Sequence, residues 1–165
     1  MSRAWLVRAG RYGEDEVLAL DAGLVVIGWS ELPDLGPLSS REDLLDLLRE
    51  TYPGAPRARL LNWRGQLWAF RGAMAPGDLV ALPLKTSGEV AIGRVTGDYA
   101  YRPDLPPTAR HVRPVEWLVT DVPRAAFGAD LRNTLGAGMT VCEIRRNGGA
   151  HRLGALAATG TDPLS

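Results

Sequence analysis

Five tryptophans and four tyrosines are the residues of this 165-residue chain best suited to specific chemistry. A flat aromatic face stacks on a planar heterocycle or holds a cation, but it breaks no bond. The sets that break bonds are missing. A hydrolase needs a nucleophile, a base and oxyanion donors together. The sequence has neither a Gly-x-Ser-x-Gly elbow nor a phosphate loop ending in Gly-Lys-Ser/Thr. Lys85, the only lysine, follows Pro83 and Leu84, so the Glu-x-Lys element of metal-dependent restriction nucleases is absent. His111 and His151 are far apart and have no cysteine nearby, so neither a metal site nor a cofactor is expected. Cys142 is the single cysteine and lies in the apolar run Met139 to Ile144. It cannot form an internal disulfide and reads as a core thiol. The chain is expected to bind, not to catalyse.

The positions of the rings decide which of them can meet a ligand. Trp5 and Trp117 lie within apolar strands, and Trp63 lies on the core stripe of a helix, so these three read as interior. Trp29 differs, because it ends an apolar strand after Gly28 and is followed by Ser30 and an acidic loop. Strand ends that open into loops are where barrels place ligand contacts. Trp68 falls off the main stripe of its helix. Tyr99 and Tyr101 alternate with Ala100, which puts both rings on one side of their strand beside Arg102. Trp29, Ser30, Trp68, Tyr99 and Tyr101 are therefore the candidate pocket for a planar ring. The plain alternative is that they are core and edge aromatics.

Net charge is zero, which taken alone argues against a nucleic-acid partner. The distribution is uneven: residues 1–50 carry ten acids and five bases, net −5, and residues 57–113 carry nine bases and four acids, net +5. Such segregation lets a neutral protein offer a positive face to phosphates. Eighteen of the nineteen bases are arginine. The planar fork of arginine suits phosphate contact and stacking, although a GC-rich genome would give the same bias. Arg8, Arg64, Lys85, Arg102, His111 and Arg113 are the candidate backbone contacts. No apolar run reaches the roughly 18 to 20 residues of a membrane span, and Arg3, Arg8 and Arg11 interrupt any secretory pattern. A cytoplasmic address and no membrane partner are expected.

The elements that must hold these residues follow from period and punctuation. Strands are expected over 4–9 and 24–29, with a short helix over 14–22 between them that closes at Gly23. A Pro/Gly loop leads to a helix capped by Ser39 or Ser40 and running to about Tyr52. A second helix from Pro56 to about Ala73 carries Leu60, Trp63, Leu67 and Phe70 within roughly 80° of one another. Strands over 78–84 and 89–96 flank a turn ending in Gly88. A short strand or loop over 99–102 precedes a long strand over 110–120, in which Pro114 marks a bulge or an edge. Residues 123–135 read as helical in two pieces around Gly128. A last strand over 140–145 and a terminal helix over 149–158 complete the chain. Mixed α and β elements with mostly hairpin-linked strands imply one α+β domain over 1–160, a small curved sheet or barrel with helices around it, and a tail over 161–165.

On particular residues the sequence resembles the PUA-like superfamily, in its YTH and EVE branches. Arg8 ends the first strand, Trp29 and Ser30 end the second, Val112 and Arg113 precede Trp117, and Thr120 to Pro123 steps into a helix. Gly77 to Leu84 and Val90 to Thr96 resemble the paired central strands of EVE domains. Ala9 departs from the pattern, which has a small polar residue there. The resemblance implies a PUA-like barrel that holds a flipped-out modified base between aromatic rings. Trp29 and one of Tyr99 or Tyr101 would then stack on the base, with Ser30 on its edge. In overall arrangement the chain is similar to the N-terminal region of Mrr-type restriction proteins, where such a domain precedes a nuclease. That similarity implies methylated double-stranded DNA as partner and a fused or separate nuclease, and because Tyr99 or Tyr101 stands where the adenine-reading pattern has Trp, 5-methylcytosine is favoured over N6-methyladenine. An RNA-binding module and a small-molecule or nucleotide sensor are the two alternatives.

Overall fold

The structure is a computed structural model, and it describes residues 2–164. Seven strands form one mixed sheet: β1 (Ala4–Val7), β2 (Leu24–Ile27), β3 (Leu79–Pro83), β4 (Glu89–Val95), β5 (Ala100–Tyr101), β6 (His111–Pro123) and β7 (Val141–Glu143). Their order is β2-β6-β4-β3-β1-β7, with β5 paired to β6. Sequence-adjacent strands pair at β3–β4 and β5–β6. Against the expectation of mostly hairpin-linked strands, β1 lies between β3 and β7, parallel to the first and antiparallel to the second.

Strand β6 serves two sets of partners. His111 to Pro114 lies opposite Ile27 to Leu24 of β2, and His111 and Val112 also pair with β5. From Val115 onward β6 pairs with β4 instead. The register between them slips around Ile92 and Gly93. A bulge of this kind bends the strand and sharpens its twist, and the sheet curls into a half-barrel that brings β2 back toward β1. Pro114, expected to mark a bulge or an edge, pairs opposite Leu24, and its carbonyl accepts from Thr96 N at 2.9 Å. At Gly93 a Cβ would stand 2.9 Å from the Trp117 ring, so only glycine lets that indole lie across β4. Trp117 Nε1 then donates to the Ala19 carbonyl at 2.9 Å and fastens the first helix to the sheet.

Five α-helices cover this sheet: α1 (Glu16–Ala22), α2 (Arg41–Thr51), α3 (Arg57–Trp68), α4 (Ala129–Leu135) and α5 (Gly149–Thr159). Strand alternation sorts the core among them. Trp5, Val7, Val25 and Ile27 meet Leu44, Leu48, Leu60 and Leu67 of α2 and α3, and Ala4 and Leu6 meet Leu131, Leu135, Leu153 and Leu156 of α4 and α5. Leu24 and Val26 share a third cluster with Ala19 of α1. Gly23 takes the left-handed conformation that ends α1, as its position after Ala22 implies. Ser40, not Ser39, caps α2 by accepting from Asp43 N.

The helix expected to continue to Ala73 stops at Trp68 and gives way to one π turn over Ala69–Ala73. The guanidinium of Arg113 rises from β6 beneath this turn and donates to the carbonyls of Phe70 and Met74, which are at the helix end and have no partner in the ladder. At the other end of the molecule Arg152 is buried and grips both Asp130 and Asp162 through paired oxygens. Asp162, placed in the tail by the sequence reading, is only 1% exposed. Among the described residues no helix is long and apolar enough to cross a membrane.

Candidate functional site

The curl of the sheet leaves a cleft of about 880 Å³ where the chain leaves β1 and β2. From the β1 end come Arg8, Gly10, Arg11, Glu14 and Asp15; from the β2 end come Gly28, Trp29 and Glu31. Tyr52 and Trp63 project from α2 and α3, and Lys85, Thr108, Arg124 and residues 135–138 close the other sides. An aromatic corner forms one wall. The Trp29 and Trp63 rings meet edge-on at 6.1 Å and 80°, and Trp63 meets Tyr52 at 5.0 Å and 72°. Edge-on contacts suit the ring quadrupoles and hold indole faces at fixed angles to the open space.

Trp29 has φ +54, a left-handed conformation rare for a bulky residue. Strain of that kind persists where the surroundings over-determine the backbone, and here they do. The Trp29 carbonyl accepts from Leu32 N. Leu35 N donates to the Tyr99 hydroxyl at 3.1 Å, and that hydroxyl is 2.7 Å from His111 Nδ1. Arg71 donates to the carbonyls of Leu35, Gly36 and Leu38. The loop from Trp29 to Leu38 is thus pinned from below by the Tyr99 hydroxyl, backed by His111 of the sheet, and from the side by one arginine. Burial pulls the His111 imidazole below its ordinary pKa. Its Nε2 faces the backbone of Trp29 and Leu32 without a hydrogen bond of normal geometry.

Charge around the cleft is mixed. Arg8 spends its guanidinium on the carbonyls of Leu135, Ala137 and Met139, which fixes the far wall. Burial and the nearby Arg124 hold its pKa below the ordinary value. Arg11, Lys85 and Arg124 stand at the rim, without such carbonyl contacts. Asp15 is buried, and burial pushes its carboxyl pKa up although the Thr108 hydroxyl donates to it at 3.2 Å. Glu31 accepts from the Tyr52 hydroxyl at 2.7 Å, which lowers the carboxyl pKa and clips the Trp29 loop to α2. The neighbouring Glu16 is buried and accepts from Lys85 N and the Thr86 hydroxyl, so it anchors the β3–β4 turn beneath the rim.

The residues singled out in the sequence separate into two groups. Trp29, Arg8 and Lys85 line the cleft, and Ser30 follows Trp29 exposed. The others lie elsewhere. Tyr99 is half-buried beneath the loop and packs on Phe70 and His111, and Tyr101 tilts against His111. Trp68 packs on the core with Arg71 stacked over it at 4.8 Å. His111 and Arg113 are interior groups, 0% and 1% exposed, so neither is a phosphate contact. Arg102 is paired with Asp104 at 2.7 Å, and Arg64 has a buried Nε with no partner. Sequence reasoning missed Trp63, Tyr52, Asp15, Arg11 and Arg124. Trp63 does sit on the core stripe of α3, but at its margin, where α2 ends and the ring is half-covered. Tyr52, just before Pro53 and Gly54 at that helix end, was the available signal.

Among the described residues no group of three or more His, Cys, Asp or Glu could hold a metal ion. The fold and cleft define an α+β domain that presents an aromatic hollow with a rim of mixed charge at one end of a curled sheet. The profile of a domain of unknown function, DUF8426, matches residues 5–144, and the chain belongs to that family. No curated protein matches it. Among solved structures, the Mmi1 YTH domain in complex with RNA is 10% identical, with a TM-score of 0.48 over 95% of this chain and 78% of that one. The MmI1 YTH domain alone is 9% identical, with a TM-score of 0.47 over 95% and 96%. A protein from Agrobacterium tumefaciens is 16% identical, with a TM-score of 0.42 over 98% and 99%.

Proposed function

We propose that this domain reads a methylated base in nucleic acid, receiving one extruded nucleobase in the cleft beside Trp29. The observation that carries the reading is the conjunction of the Trp29–Trp63–Tyr52 corner with the rim cations Arg11, Lys85 and Arg124 around one 880 Å³ hollow. An aromatic wall takes a base through stacking of about 1–3 kcal/mol. The rim cations take the phosphates of the strand it comes from. Trp63 and Tyr52 replace Tyr99 and Tyr101 as the rings that accompany Trp29.

The partner is methylated duplex DNA, from which the base must be flipped at a cost of a few kcal/mol. The likeness of the sequence to modification-dependent restriction proteins supports DNA over RNA and a nuclease working with the domain. In the sequence, a tyrosine in place of a second tryptophan and Ala9 in place of a small polar residue depart from the adenine-reading pattern, which supports 5-methylcytosine over N6-methyladenine. The buried Asp15 carboxyl lines the cleft, where it can accept from the exocyclic amino group of a base. A methyl group adds mainly apolar fit, worth about 1–3 kcal/mol.

The test is a binding panel on one sequence: unmodified duplex, 5-methylcytosine duplex, N6-methyladenine duplex and single-stranded RNA. The 5-methylcytosine duplex is expected to bind at least about 10-fold tighter than the unmodified one. Trp29→Ala and Trp63→Ala are expected to remove that preference. Equal affinity for all four, or folded variants that bind like the parent, overturns the reading. A preference for the RNA moves the domain to single-strand recognition.

A further inference from the structure

The cleft accounts for one base and leaves an aromatic residue beside it unused. Tyr12 is 76% exposed and Val17 72%, the two most exposed large apolar side chains among the described residues. Val17 lies in the first turn of α1, and Tyr12 belongs to the segment joining β1 to α1, whose Gly10, Arg11, Glu14 and Asp15 line the cleft. A single exposed apolar side chain is ordinary. This one is presented by a constructed turn.

Gly10 at φ +89 and Gly13 at φ +77 bracket Arg11 and Tyr12. Side chains cannot replace these glycines without conflict: a Cβ on Gly10 would stand 2.6 Å from the Glu14 carboxyl carbon, and one on Gly13 would stand 2.5 Å from a Glu16 oxygen. Glu14 accepts from Tyr12 N at 2.9 Å, while Asp15 N and Glu16 N close back onto the carbonyls of Ala9 and Gly13. The backbone is held while the phenol is free. The Arg11 guanidinium lies over the Tyr12 ring, 5.5 Å from its centroid. One end of this pair thus reaches the cleft and the other faces solvent. A ring with an open face and a cation beside it is the apparatus that binds successive bases of a strand.

We propose that Tyr12 and Arg11 form a second nucleobase subsite, in which Tyr12 stacks on the base next to the one held in the cleft and Arg11 meets the phosphate between them. This rests on the base-reading function proposed above and extends it from one nucleotide to two. Discrimination of the methylated base stays with the Trp29 corner, and the subsite adds affinity that depends on a neighbouring base and not on the methyl group.

The probe is a DNA trinucleotide with central 5-methylcytosine, compared with the same molecule carrying abasic sugars at both flanking positions. In the parent protein the flanking bases are expected to raise affinity about 5- to 100-fold. In Tyr12→Ala the two probes are expected to bind alike, at the affinity the parent shows for the abasic probe. Tyr12→Phe is expected to keep the difference. Tyr12 is a solvent-facing side chain, so the melting temperature of Tyr12→Ala should match that of the parent. A flanking-base gain that survives Tyr12→Ala, or no such gain in the parent, overturns the subsite. The base-reading function fails separately, if Trp29→Ala binds the abasic probe as tightly as the parent or if removing the methyl group changes nothing.

Discussion

Replacing Tyr99 by phenylalanine distinguishes two roles that one aromatic residue can have. A ring that stacks on a base keeps its face in Tyr99→Phe and keeps its binding. A hydroxyl that pins a loop is lost. In the structure the Tyr99 oxygen accepts from Leu35 N at 3.1 Å and lies 2.7 Å from His111 Nδ1, and both partner residues are 0% exposed. Each buried polar group left without a partner costs about 1–3 kcal/mol. Tyr99 itself is half-buried, so some relaxation and water entry reduce the sum to about 2–4 kcal/mol. For a domain of this size that lowers Tm by about 5–15 °C. Thermal unfolding followed by circular dichroism measures it, with Tyr101→Phe as the control expected to melt like the parent. Fluorescence anisotropy on a 5-methylcytosine duplex, recorded well below both melting points, should show weaker binding for Tyr99→Phe because the Trp29 loop is no longer fixed. A Tm indistinguishable from that of the parent would refute the pinning argument. Full affinity with a lowered Tm would separate loop order from ligand capture.

Arg113→Met keeps the aliphatic stem but leaves the carbonyls of Phe70, Met74 and Gly97 without their donor, and should cost about 1–3 kcal/mol in urea unfolding for each of them that stays buried and unpaired. Asp162 has its pKa lowered to about 2 by hydrogen bonds from Arg152. Its contribution is therefore fully present above the unfolded carboxylate value near 4 and is lost as pH falls from about 4 toward 2. Asp162→Asn should lower stability at pH 7 and flatten that acid limb in a series of pH-jump melts. Lys85→Ala, at the exposed rim, should weaken duplex binding equally for methylated and unmethylated sequences and reduce the slope of log affinity against log salt by about 1. A change in methyl preference instead would mean that the lysine touches the base.

Much of the architecture was legible because period and punctuation speak for local structure. The left-handed Gly23, the turn ending at Gly88, the two-piece segment around Gly128 and the position of Trp29 at a strand end were all readable from neighbours in sequence. What was not legible depends on distant partners. Nothing local tells that β1 inserts between β3 and β7, because their hydrogen bonds join residues far apart in the chain. The same holds for Arg113 and His111. An arginine and a histidine in a strand read as surface cations until the carbonyls and the phenol that enclose them are placed. Tyr99 and Tyr101 were rightly seen as a pair of like-facing rings, but the face points at His111 under the loop and not into the cleft. Trp63 reads as core from its helix stripe because the stripe does not reveal where the covering layer ends.

The insertion of β1 sets the order in which the molecule can be completed. Its hydrogen-bonding neighbours are Leu79 to Ala81 on one side and Val141 to Glu143 on the other, and Arg8 just beyond it is satisfied only by carbonyls at 135–139. On a ribosome that makes the amino terminus first, the opening strand must wait, half-satisfied, through most of translation. Contacts that span so much chain fold slowly, and a nascent chain stalled between Arg124 and Leu135 has the aromatic corner and the rim cations of the hollow but not its far wall.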